Sequence, residues 1–198
     1  MKNEKIILAS GSPRRKQLLE LAEIPFDIIV AETDEAYPLE LSSEEIAIHI
    51  AENKAVAVQH KLQAHSNDDG QTIIAADTVV VLANKIIGKP KTRQDAIAIL
   101  RNISGKIHKV ITGVCILTDE NKLLFSEETE VEFYPLSDSQ IEYYVDHFKP
   151  YDKAGAYAIQ EWIGAIGIKA IKGDFYNVMG LPISRLVKEL NLHEQTKK

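Results

Sequence analysis

The run Thr72-Ile-Ile-Ala-Ala-Asp-Thr-Val-Val-Val-Leu82 constrains this chain more than any other segment. It reads as one long apolar strand, with an aspartate in its middle. The elements around it alternate. Ile6–Ala9 and Phe26–Val30 read as shorter strands, and Pro13–Ala22 between them as a helix. Ser42-Ser-Glu-Glu45 is a capping box that opens a helix running towards Leu62. Thr92 and Asp95 are spaced as a second capping pair for a helix to Ile103, and Ser137 and Gln140 as a third for a helix to Phe148. Ala83-Asn-Lys85 turns the long strand back into Ile86-Ile87. Lys106–Thr118 and Lys122–Tyr134 read as strands joined by a hairpin at Asp119-Glu-Asn121. A short apolar stretch around Ile166–Ile171 and a final helix after Pro182 complete the pattern. This is an α/β chain with a mixed sheet, partly antiparallel, flanked by helices.

At 198 residues the chain fits one domain, or two lobes around a cleft. Gln63–Gln71 is a polar loop and a candidate lobe boundary, and the tail His193–Lys198 reads as frayed. A net charge of −6 with no long basic run argues against wrapping nucleic acid. Met1–Lys5 leads directly into a strand, so no signal peptide is expected. No run approaches the roughly 20 apolar residues of a membrane span. The single cysteine, Cys115, lies in the apolar run Val110–Leu117 and reads as a small buried hydrophobe. A reducing cytoplasm is the expected compartment. The histidines at 49, 60, 65, 108, 147 and 193 form no ligand-like cluster, which argues against structural zinc.

The chemistry concentrates in a few places. In Ala9-Ser-Gly-Ser-Pro-Arg-Arg15, Ser12 suits the N-cap and Pro13 the first helical position. Arg14 and Arg15 then fall in the first helical turn, where the helix dipole disfavours cations by about 0.3–1 kcal/mol each. Either the pair is simply solvated, or an anion on the turn reverses the sign and draws backbone N–H groups, serine hydroxyls and guanidinium forks together. Asp77 poses a similar choice. A carboxylate inside an apolar run cannot be buried alone, so either the strand breaks into a site or a cation meets the acid. It could act as a general base for water or help to hold a divalent metal. Asp34 and Glu35 follow the second strand. Ser10–Arg15, Asp34–Glu35 and Asp77 thus all sit where ligands lie in open α/β sheets, beyond strand ends. Lys54, Lys89 and Lys153 stand in suggestive contexts, but a lysine taken alone in such a place is more often a solvated surface charge. Asp152-Lys-Ala-Gly-Ala-Tyr-Ala-Ile-Gln160 is rich in small residues that let backbone approach a ligand, or simply pack closely. Asp174–Pro182 leads into the last helix, and its aromatics read as core.

Five of these segments together resemble the Maf family of nucleoside triphosphate pyrophosphatases. They are Leu-Ala-Ser-Gly-Ser-Pro-Arg-Arg (8–15), Ala-Ala-Asp-Thr-Val-Val (75–80), Gly-Lys-Pro (88–90), Asp-Lys-Ala-Gly-Ala-Tyr-Ala-Ile-Gln (152–160) and Gly-Asp-Phe-Tyr-Asn-Val-Met-Gly-Leu-Pro (173–182). The resemblance spans nearly the whole chain and implies a single Maf-like domain over 1–198. It implies a strongly twisted mixed sheet with two lobes around a central cleft, as in inosine triphosphate pyrophosphatases. It implies cleavage of a nucleoside triphosphate between the α and β phosphates with a divalent cation, Mg2+, Mn2+ or Co2+. Asp77 would be the general base. Ser10, Ser12, Arg14, Arg15, Asp34, Lys54 and Lys89 would bind substrate. Asp34 stands where the family has an acidic residue, usually glutamate, so the role falls to Asp34 or to its neighbour Glu35. Arg14, Thr78 and Gln160 match the branch that prefers dTTP and UTP, and modified pyrimidine nucleotides stay open as further substrates. The amide of Gln160 suits the imide edge of uracil or thymine. Glu161-Trp162 departs from the glycines or basic residues of many relatives. Family members are often dimers, which adds a homodimer to the options. Two other readings stay open: a nucleotide sensor that acts in division control without catalysis, and an enzyme that removes deaminated purine triphosphates.

Overall fold

The computed structural model describes residues 6–64 and 70–195, with side chains as far as Leu190. Its strands are β1 (Ile6–Leu8), β2 (Phe26–Ile28), β3 (Thr72–Leu82), β4 (Lys85–Ile87), β5 (Ile107–Leu117), β6 (Lys122–Phe133) and β7 (Ile168–Lys172). Its helices are α1 (Pro13–Leu21), α2 (Ser43–Gln63), α3 (Arg93–Ile103), α4 (Asp138–Phe148), α5 (Trp162–Gly167), α6 (Phe175–Met179) and α7 (Ile183–Gln195). Among the described residues the sheet runs β2-β1-β3-β5-β6-β7, with β4 also on β3. β1 pairs in parallel with both β2 and β3, whereas β4 on β3 and β7 on β6 are antiparallel. The expected mixed α/β sheet flanked by helices is therefore the fold.

The helix starts follow their local chemistry. Ser42, Thr92 and Ser137 each accept from the amide three residues on, and Glu45, Asp95 and Gln140 each reach back to the N-cap amide. Ser12 differs. It occupies the N-cap of α1 in extended conformation, but among the described residues its hydroxyl makes no cap bond. The Asp119–Asn121 hairpin is closed by Thr118, whose amide donates to the Asn121 carbonyl at 2.8 Å and whose hydroxyl accepts from the Asn121 amide at 3.0 Å. Most boundaries fall within two residues of the sequence reading. The exception is the stretch around Ile166–Ile171, which is the end of a short helix followed by β7. Asp174–Pro182 also carries a short helix of its own, and Phe175 there is exposed rather than core. Gln63 ends α2, while residues 65–69 of the expected Gln63–Gln71 loop lie outside the described residues. The expected frayed tail holds the last residues of α7, and 196–198 lie outside the description too.

The chain divides into two compact units, one of residues 1–77, 112–127 and 180–198, the other of 78–111 and 128–179. The first has a core built from Ile7, Ala9, Ala51, Ala55, Val58, Ile73, Ala75, Cys115 and Leu117. Cys115 is fully buried, as its apolar run implies, and burial pushes its thiol up to about 12. α2 lies hard against β5 at Gly113, where a Cβ would sit 2.2 Å from the Ala47 carbonyl carbon. Only glycine permits that approach, and it fixes where the polar side of α2 points. The second unit centres on buried Leu100, Ile103, Phe133, Ile141, Tyr144, Tyr157 and Ile163. His108 is 1% exposed within it, its ring edge-on to Tyr157 and its Nε2 2.7 Å from the Tyr157 hydroxyl.

Candidate active site

In the first unit the parallel register of β1 and β3 aligns Leu8 with Ile74. The Ala9 amide donates to the Ile74 carbonyl at 2.8 Å, so both chains continue side by side past the pairing. Ser10 lies two residues beyond Leu8, and Asp77 three beyond Ile74. The strand does not break at Asp77; a cation meets it instead. Lys54 Nζ, reaching from α2, stands 2.6 Å from Asp77 Oδ1 and 2.9 Å from Glu35 Oε1. The Lys54 and Asp77 side chains are 18% and 14% exposed, so this pair is held in a partly dehydrated place where attraction is screened little. Lys54 is placed there because Ala51 and Ala55, fully buried on either side of it in sequence, seat that turn of α2 on the sheet.

The structure separates Asp34 from Glu35. Asp34 Oδ1 accepts from the Ala36 amide at 3.0 Å, an Asx turn that shapes the loop after β2. Glu35 is the acid that reaches Lys54. The structure also separates the arginines. Arg15 is buried, with Nε donating to the Gly180 carbonyl at 2.8 Å and Nη1 to the Ser10 hydroxyl at 3.0 Å. Ser10 Oγ also accepts from the Ser12 amide at 3.3 Å. Burial lowers the Arg15 pKa, the Asp77 charge pulls it back up, Arg14 lowers it further and Glu35 raises it. A guanidinium stays charged through shifts of this kind. Arg14 is half-exposed beside it. This unit thus brings Ser10, Arg15, Lys54, Glu35 and Asp77 together, with Ser12 and Arg14 on the same turn as Ser10: the turn follows β1, Glu35 lies in the loop after β2, Lys54 reaches in from α2, and Asp77 stands within β3.

In the second unit, β3 continues with half-exposed Thr78 and turns through β4 to exposed Lys89. The Gly155 amide donates to the Gly88 carbonyl at 3.4 Å, and a Cβ on Gly155 would meet the Val80 methyls at 3.1 Å. Gly155 has φ of 71°, a left-handed conformation that suits glycine. The Asp152–Gln160 loop is therefore both a close-packed turn and a neighbour of Lys89. Its last residue, Gln160, is exposed, while Tyr157, Ala158 and Ile159 before it are buried. Lys153 is not a surface charge. It is 7% exposed and paired with Asp152 at 2.8 Å and Glu161 at 3.5 Å.

The family model for Maf-like proteins matches residues 5–193. The chain belongs to the Maf family. Its Maf relatives include a dTTP/UTP pyrophosphatase of Parabacteroides distasonis, 47% identical over 191 residues and 96% of each chain. A dTTP/UTP pyrophosphatase of Cytophaga hutchinsonii is 50% identical over 188 residues, which cover 95% of this chain and 84% of that one. Another, of Bacillus mycoides, is 48% identical over 186 residues and 94% of each chain. Among solved structures, the Staphylococcus aureus Ham1 protein matches at a TM-score of 0.42 and 13% identity, over 66% of this chain and 72% of that one. A likeness that slight has no bearing on activity.

Within this Maf chain, no group of three or more His, Cys, Asp or Glu among the described residues could hold a metal ion on its own. Magnesium-like ions, however, commonly take only one or two carboxylates and fill the remaining positions with waters and substrate phosphates. Asp77 and Glu35, both within 3 Å of the same Lys54 nitrogen, are a carboxylate pair that fits such a shared site. Sequence reasoning missed Gly180, whose carbonyl fixes Arg15 across 165 positions of chain, and Tyr144, whose hydroxyl contacts the Gln160 loop. Neither has a local signature. The approach of Gly164 to Ile159, where a Cβ would fall 1.7 Å from the carbonyl oxygen, was hidden for the same reason.

Proposed function

We propose that this chain hydrolyses dTTP and UTP, and modified pyrimidine triphosphates of the same edge chemistry, to the monophosphate and pyrophosphate. The observation that carries the reading is the Lys54 ammonium shared by Asp77 and Glu35, beside a serine- and arginine-bearing turn at the end of β1. Relatives that bear the name dTTP/UTP pyrophosphatase at about half identity support it. The match of one family model across 5–193 supports treating the two units as one Maf-like domain. A buried lone cysteine suits a reducing cytoplasm.

In this reading the Ser10 hydroxyl, the first-turn amides of α1 and the Arg14 and Arg15 guanidinium groups bind the triphosphate. Arg15 is the rigid member, because Gly180 and Ser10 hold both edges of its fork. Ser12 is left to the ligand, since its hydroxyl caps no amide of the helix. Lys54 holds Asp77 by one oxygen, Oδ1, and orients Oδ2 to take a proton from the water that attacks the α-phosphorus. Asp77 and Glu35 would hold a divalent cation (Mg2+, Mn2+ or Co2+) jointly with the phosphates, and that cation, when bound, neutralises charge on the leaving pyrophosphate. Lys89 contacts phosphate, and Thr78 and Gln160 contact the base. Asp34 serves through its loop, with Glu35 as the working acid.

Pyrophosphate release from UTP, dTTP, CTP, ATP, GTP, ITP and XTP with each metal tests the assignment. UTP and dTTP should lead the panel, and Asp77→Asn should abolish release while nucleotide still binds. Full activity in Asp77→Asn would sink the mechanism. Binding without release in the unaltered protein would make it a sensor, and a lead for ITP or XTP a purine-cleaning enzyme.

A further inference from the structure

The exposed amide of Gln160 stands on a turn that is closed from inside the second unit. The Glu161 amide donates to the Ala158 carbonyl at 3.1 Å, which makes residues 158–161 a four-residue turn with Gln160 in its third place. Both ends of that turn meet one group. The hydroxyl of Tyr144 accepts from the Ala158 amide at 3.2 Å and donates to the Glu161 carboxylate. Tyr144 is fully buried on α4, within the stripe Ile141, Tyr144 and Val145, and stacks on Phe148 at 5.0 Å. It is thus a fixed post rather than a mobile side chain. Glu161 is steadied again by Lys153 Nζ at 3.5 Å from its other oxygen. Gly164 seals the preceding residue, since its Cα lies against the Ile159 carbonyl with no room for a Cβ.

We propose that Tyr144 is a positioning residue for base selection. Its hydroxyl, through Ala158 and Glu161, sets the turn that presents the Gln160 amide. This rests on the reading of Gln160 as the group that contacts the base. A carboxamide distinguishes an imide edge from its amino counterpart only if donor and acceptor are held in register with it. Freeing the turn would let the amide wander, and discrimination would fall before catalysis did. Tyr144 is a suitable post because it joins the two ends of the turn with one atom. Glu161 is the acceptor that the Tyr144 hydroxyl needs.

UTP and CTP differ only at that edge, so the ratio of their kcat/KM values reads the proposal directly. Tyr144→Phe removes the hydroxyl and keeps the ring. It should lower the UTP:CTP ratio about fivefold through the KM for UTP, a hydrogen bond's worth, with kcat nearly unchanged. In a Gln160→Ala background the same substitution should leave the ratio unmoved, the mark of two residues acting as one. Glu161→Ala should repeat the loss and Glu161→Gln, which keeps an acceptor, should restore most of it. That pair carries the test should Tyr144→Phe fail to fold. An intact ratio in Tyr144→Phe and in Glu161→Ala, alongside a collapsed one in Gln160→Ala, would overturn the role of Tyr144 alone. Equal losses with and without Gln160 would reduce Tyr144 to general support and overturn it too. A ratio unmoved by Gln160→Ala itself would instead remove the reading of Gln160, and the proposal with it.

Discussion

Lys54→Met is the substitution whose consequences the structure predicts most closely. It keeps the aliphatic stem along α2 and deletes the ammonium that Asp77 and Glu35 share. At 2.6 Å and an effective dielectric of about 20, the Lys54–Asp77 attraction is about 6 kcal/mol before dehydration is subtracted. Dehydration of both groups offsets most of that, and breaking a fully buried pair typically costs about 3–5 kcal/mol. Asp77 is 14% exposed and also feels the Arg15 charge, so part of its compensation survives. The expected loss of folding stability is therefore about 2–3 kcal/mol. At a urea slope of about 2 kcal/mol per molar, the unfolding midpoint should fall by about 1–1.5 M. Asp77→Asn in the same chain removes the stranded charge and should recover about 1–2 kcal/mol. Urea unfolding of the four proteins, followed by far-ultraviolet circular dichroism, closes the cycle. A Lys54–Asp77 coupling under about 0.5 kcal/mol would refute the view that the lysine holds the aspartate.

Three further outcomes are expected. Glu35→Gln should cut pyrophosphate release more than Asp34→Asn does, because only Glu35 reaches Lys54 whereas Asp34 bonds the Ala36 amide; steady-state rates of the two variants decide it. Burial depresses His108 from 6.5 to about 4, so the unfolded chain takes up its proton first as pH falls. That contribution is complete above pH 6.5, is lost as pH falls towards 4 and levels off below, which amounts to about 3 kcal/mol at roughly 1.4 kcal/mol per pH unit. Urea midpoints measured across that window should show the slope, and His108→Asn should flatten it. Gly113→Ala places a Cβ 2.2 Å from the backbone of α2 at Ala47, which cannot yield as a side-chain tip would. It should destabilise by about 3 kcal/mol or more, seen as a lowered thermal midpoint.

Much of the fold was legible from short-range chemistry. Ser42 with Glu45, Thr92 with Asp95 and Ser137 with Gln140 mark helix starts because each box closes within one turn, so sequence spacing is spatial spacing. β3 was legible to the residue, since all of its eleven positions except Asp77 are apolar or β-branched and leave few alternatives. The stretch near Ile166 was not, because α5 has six residues and β7 five, too few for a period to declare itself. At the site, an aspartate in an apolar run called for either a strand break or a cation, but Lys54 lies 23 positions away on α2 and nothing local names it.

The chain by itself determined that a carboxylate would stand in the sheet and that serines and arginines would gather at the first helix. Those follow from side-chain chemistry and from bonds spanning three or four residues. The tertiary structure alone decided which of two adjacent acids reaches Lys54, which of two adjacent arginines is buried, and that Lys153 and Tyr144 support the Gln160 turn. In each case neighbours of similar or unremarkable chemistry are told apart by direction. Direction is set by where α2, α4 and the segment at Gly180 pack, which is a property of the whole core and not of any window of sequence.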